Sequence, residues 1–127
     1  MHVQVHCLGL CDDILKLDDR IRFVAHLDKT MKNVLEMKQR LGLRSLTDKE
    51  SDLDFFGFIE PVFVKVCADS EKYFGDLKSV RLNFGKCSIV FLRIPNAVVG
   101  LSMEPGPTTP IVDKIGQKYG VKLTQDT

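Results

Sequence analysis

The chain has 127 residues, 44% of them apolar, and 18 basic side chains stand against 17 acidic ones for a formal charge of +1. That length supports one domain with a real core, and so balanced a charge leaves no electrostatic footprint for nucleic acid or for an anionic membrane. No apolar run reaches the roughly twenty residues that span a bilayer, which argues against membrane insertion. Residues 1–20 lack the basic start and apolar stretch of a signal peptide, so a cytoplasmic address is expected.

From Val5 to Asp18 the apolar positions Cys7, Leu8, Cys11, Ile14 and Leu15 recur at three and four, which predicts an amphipathic helix packed on a sheet. Ile21 to Leu27 and Val34 to Lys38 read as two strands around the polar turn Asp28 to Lys32, a β-hairpin whose turn lacks glycine. Gln39 to Leu46 reads as a connecting loop. Thr47-Asp48-Lys49-Glu50 has capping-box spacing, and a long helix is expected from Asp48 to about Tyr73.

That helix is apolar on two sides. At about 100° per residue, Leu53, Phe56, Phe63, Val64 and Cys67 form one stripe, and Phe55, Phe58, Ile59, Val62 and Val66 form another roughly opposite. The helix-breaking Pro61 falls on the narrow polar strip between them, with Asp54, Gly57, Lys65 and Lys72. One stripe can face the chain's own sheet. The other needs cover, from a second copy of the same helix or from the first and last helices. Leu53, Phe55, Phe56, Phe58, Ile59, Val62, Phe63 and Val66 are therefore the candidate dimer or partner face.

The last third reads as a three-stranded meander followed by a helix. Val80, Leu82 and Phe84 alternate with Arg81 and Asn83, then Gly85-Lys86 turns; Cys87 to Ile94 is nearly unbroken apolar sequence, as expected of a strand inside the sheet and covered on both faces. Pro95-Asn96 turns again, Ala97 to Met103 forms the last strand, and Glu104-Pro105-Gly106-Pro107 ends it. In the closing helix Thr109 is the expected N-cap, Pro110 the first helical residue and Gly120 the C-terminal cap. Ile111, Ile115 and Tyr119 share a face, and residues 122–127 are expected to fray. The whole is a single α+β domain, with one five-stranded antiparallel sheet flanked by helices in the order α-β-β-α-β-β-β-α.

The chemical candidates are sparse. The four cysteines Cys7, Cys11, Cys67 and Cys87 lack the density of a disulfide scaffold and read as reduced, mostly buried thiols. His2, His6, Cys7 and Cys11 include four-residue spacings that suit a metal site, but they have no second ligand pair and no glycine knuckle, so no metal is expected. His26 has Asp28 nearby without a nucleophile to serve, and reads as structural. Asp48, Glu50, Asp52 and Asp54 crowd a helix start, where unpaired amides favour negative charge. The Gly-x-x-x-x-Gly-Lys-Ser/Thr loop that cradles phosphates is absent from the sequence, and no catalytic constellation or cofactor is expected.

The order of elements resembles that of the roadblock-type domains, relatives of longin and profilin-like folds, and the resemblance covers nearly the whole chain. The segments Ile14-Leu15-Lys16-Leu17-Asp18-Asp19-Arg20-Ile21-Arg22-Phe23 and Leu101-Ser102-Met103-Glu104-Pro105 look like the start and end of a set of small, uncharacterised archaeal roadblock-like proteins. Those proteins usually carry a glycine in the first hairpin turn and a more polar long helix, where this chain has Thr30-Met31 and a phenylalanine-rich helix. The resemblance implies a non-enzymatic homodimer that serves as a platform or regulator for a small Ras-like GTPase or a larger complex. The alternative is a small-molecule sensor of the PAS or GAF type, with Phe55, Phe58 and Phe63 lining a pocket between sheet and helices.

Overall fold

The structure, a computed structural model, describes residues 9–43, 61–63, 65 and 69–124. Strands β1 (Ile21–Asp28), β2 (Val34–Gln39), β3 (Ser79–Asn83), β4 (Ser88–Ile94) and β5 (Ala97–Met103) form one antiparallel sheet in the order β2-β1-β5-β4-β3. Helices α1 (Leu10–Leu15) and α2 (Thr109–Tyr119) flank it. Residues 61–63, 65 and 69–74 are also helical. The predicted α+β architecture is the observed one. The predicted capping box, and the helix from Asp48 up to residue 60, lie outside the described residues, as do residues 1–8.

Side-chain alternation separates two apolar layers. On β4, Val90, Leu92 and Ile94 point to one face, where α1 and α2 supply Cys11, Ile14, Leu15, Ile111, Val112 and Ile115 to a sealed core. Phe91, between them in sequence, points to the other face and packs with Ala25, Leu27, Val98 and Phe63. Two one-residue irregularities adjust this alternation. Arg22 is extra where β1 pairs with β5, and Leu35 is extra where β2 pairs with β1, which leaves Leu35 half exposed on the edge strand.

The glycine-free hairpin turn between β1 and β2 closes by another device. Met31 takes the left-handed conformation with φ 62°, which costs about 1–2 kcal/mol for a residue with a Cβ. The Asp28 carboxylate offsets it by accepting from Thr30 Oγ1 at 2.7 Å, Asn33 Nδ2 at 2.7 Å and the Lys32 N–H at 3.2 Å. Those bonds, Asn33 first and Thr30 next, hold the Asp28 carboxyl below its ordinary pKa.

Where the periodicity predicts a helix as far as Asp18, α1 stops earlier. It ends at Leu15, and Leu17 N–H donates back to Ile14 O at 3.0 Å. The reason lies 25 residues away, where the Arg40 guanidinium, just past β2, donates to the carbonyls of Leu15, Asp18 and Ile21. Its own N–H donates to Arg22 O at 2.8 Å. One planar cation thus satisfies the end of α1, the turn after it and the start of β1.

A second arginine closes the other end of the chain onto the same region. Arg20 donates to the carbonyls of Glu104 and Pro107, the Glu104 N–H donates to Arg20 O at 2.9 Å, and Arg22 pairs with the Glu104 carboxylate. Gly106, at φ 142°, permits this approach, since a Cβ there would stand 2.8 Å from Arg20 Nη2.

At α2 two expectations are corrected. The N-cap is Thr108 rather than Thr109, and the helix already includes Thr109. The carbonyl of Thr108 accepts from the Ile111 and Val112 N–H groups, while its hydroxyl makes no capping bond. Gly120 caps the C-terminus as expected, at φ 71°. The chain beyond it does not fray over residues 121–124. Val121 N–H donates to Gly116 O at 2.9 Å, Leu123 is buried with the α1/α2 layer, and Thr124 O accepts from Lys78 Nζ. Gly116 makes this return possible, because a Cβ there would lie 2.6 Å from Val121 O. Residues 125–127 lie outside the described residues.

Two stability measurements follow from these arrangements. Arg40→Ala should lower the free energy of urea unfolding by about 2–3 kcal/mol. Arg40→Lys should not restore it, because an ammonium cannot span three carbonyls in one plane. Gly116→Ala should also destabilise, by about 1–3 kcal/mol, since displacing the Val121 carbonyl outweighs the gain of about 1 kcal/mol in helix propensity. A Gly116→Ala protein that melts higher than the parent would refute the account of the C-terminal return.

Candidate functional site

The second layer, on the sheet face opposite α1 and α2, is the part of the molecule best placed to meet a partner. Its middle row runs Met37, Ala25, Gly100, Phe91 and Val80 across all five strands. The small pair Ala25 and Gly100 lies beside Phe91, and Phe63 stands edge-on to that ring, with centroids 6.3 Å apart and planes at 72°. Phe63 and Phe91 are both fully buried. Toward the end of the helical segment, Glu71 accepts from the Leu77 N–H at 2.7 Å and pairs with Arg93 at 2.9 Å. Arg93 also donates to Leu77 O at 3.0 Å.

Around that centre the layer is incompletely sealed. Phe23, Val62, Val80, Leu82 and Ile89 pack against it while only partly buried. The next row runs Gln39, Phe23, Ser102, Ile89 and Leu82, and just beyond β3 Phe84 is 52% exposed. Phe84 was expected to complete the alternation of the strand, but β3 ends at Asn83 and Phe84 N–H closes the turn by donating to Cys87 O at 2.9 Å. Strand β3 is an edge of the sheet, so a row of its backbone groups points away from β4.

Of the eight residues predicted to form a partner face, Leu53, Phe55, Phe56, Phe58, Ile59 and Val66 lie outside the described residues. Phe63 turns to the chain's own sheet and is committed there. Val62, on the opposite stripe, is only half-buried. Phe63 packs edge-on against Phe91, and Phe55 and Phe58, the other residues of the sensor reading, lie outside the described residues. What the sequence did not single out is the contribution of the sheet, chiefly Phe23, Leu82 and Ile89. Their signal was the apolar half of each strand's alternation.

The reactive side chains serve structure instead. Cys11 is fully buried; its N–H donates to Glu36 Oε1 at 3.2 Å, and its Sγ lies 3.6 Å from Val24 O and 3.8 Å from Glu36 O. Burial, and after it the acceptor and charge of Glu36, push the thiol well above the ordinary range, so it stays protonated and unreactive. Cys87 is buried and its pKa is likewise raised by desolvation. His26 is buried in β1 opposite Glu36, and the Asp28 carboxylate is taken up by the hairpin turn. His2, His6 and Cys7 lie outside the described residues. Among the described residues no three His, Cys, Asp or Glu side chains gather to hold a metal ion, and no helix is long and apolar enough to cross a membrane.

This layered arrangement is a roadblock-like fold. No protein-family model and no curated protein matches the sequence. Among solved structures the chain is similar to the gliding protein MglB from Thermus thermophilus, with a TM-score of 0.65 at 13% identity over 91% of this chain and 82% of that one. A structure of MglB with a tetrameric arrangement gives a TM-score of 0.69 at 13% identity, covering 91% and 83%. Myxococcus xanthus MglB gives 0.61 at 13% identity, covering 92% and 84%. Identities this low establish the shared fold.

The packing of Phe63 can be tested directly. Phe63→Ala should cost about 3–5 kcal/mol in urea unfolding, whereas Phe63→Leu should cost clearly less. A loss below about 1 kcal/mol for the alanine variant would mean that Phe63 is not an anchor of this layer.

Proposed function

We propose that the chain is a non-enzymatic interaction and regulatory module, a roadblock-like homodimeric platform for a small Ras-like GTPase or a larger complex. The observation that carries this reading is the unequal sealing of the two sheet faces. One is closed by α1 and α2. The other, among the described residues, buries Ala25, Leu27, Phe63, Phe91 and Val98 fully but leaves Phe23, Val62, Leu82 and Ile89 half-buried, with Phe84 exposed just past the edge strand β3. Apolar surface of this kind gains about 25 cal/mol for each Å² it buries, and a second copy would cover it by the symmetry most soluble oligomers use.

The fold shared with MglB supports the same reading, as does a solved MglB with a tetrameric arrangement. The sequence carries no phosphate-cradling loop, so nucleotide chemistry would belong to the partner. A cytoplasmic location fits such a role.

Light scattering on the purified protein should give twice the 14.3 kDa chain mass. Val62→Glu should give a folded monomer with an unchanged circular dichroism spectrum. Phe63→Glu should unfold, because it charges the inner stripe. A monodisperse monomer at about micromolar concentration, where a stable interface would hold, would overturn the dimer.

The partner is tested separately by calorimetric titration into a small Ras-like GTPase of the same genome, loaded with GDP or with a non-hydrolysable GTP analogue. Binding should depend on the nucleotide state. Absence of binding to every such GTPase in either state would remove the GTPase and leave the dimer standing.

A further inference from the structure

We draw no further inference here: the strongest candidate, the exposed Tyr73–Phe74 aromatic pair where the helical segment ends beside Lys72, is an unpartnered apolar patch, and nothing in the structure shows what covers it.

Discussion

A strand that is apolar on both sides has to be covered twice, and β4 imposes that requirement on everything around it. Val90, Leu92 and Ile94 need one layer, and Phe91 needs the other. Strand β5 beside it makes the same demand through Val99 and Leu101 on one face and Val98 on the other. Two short helices suffice on the first face because their buried positions fall on aliphatic rows. On the second face the small Ala25 and Gly100 lie beside Phe91, which packs edge-on with Phe63. A pair of large rings over small residues buries much area with few side chains. Their reach is short, however, and the rows beyond them remain half open.

Polar clamps set the outline of the other layer. Arg40 gathers three carbonyls from the α1–β1 region, and Arg20 with Arg22 holds the segment that leaves β5. The stretches Ile14–Phe23 and Leu101–Pro105 lie more than 75 residues apart in sequence and meet here. Ile21 pairs with Met103, and Arg22 with Glu104. Their meeting is a structural junction where main-chain carbonyls need donors. It does not mark a reactive centre, because the arginines are spent on backbone groups and on one carboxylate.

Much of this was legible in the sequence for local reasons. The strands of the meander announce themselves by β-branched and aromatic runs broken at Gly85-Lys86 and Pro95-Asn96, and the structure puts its turns there. What local pattern cannot carry is a contact made from far away. The end of α1 depends on Arg40, and the return of residues 121–124 depends on the missing Cβ of Gly116. The hairpin turn without glycine depends on three donors converging on Asp28. In each case the sequence offers an ordinary residue whose role exists only once the chain has folded around it. In the long helix, periodicity gave two stripes without saying which one looked inward, and the burial of Phe63 supplies that direction at its own position.

Burial also governs the titration of the reactive side chains. Among the described residues the thiols and phenol with raised pKa values, Cys11, Cys87 and Tyr119, are raised first by burial in packed surroundings. Tyr119 is pushed up to about 12 by desolvation on a face of α2 that packs against the core. Desolvation as the leading cause suits a thiol or phenol packed as filling, with Glu36 adding to it at Cys11. Half-buried apolar side chains, among them Phe23, Val80, Leu82 and Ile89, line the other sheet face around Phe63 and Phe91. Such a surface gains most by burial against a rigid, complementary surface, since little conformational entropy is then lost on association.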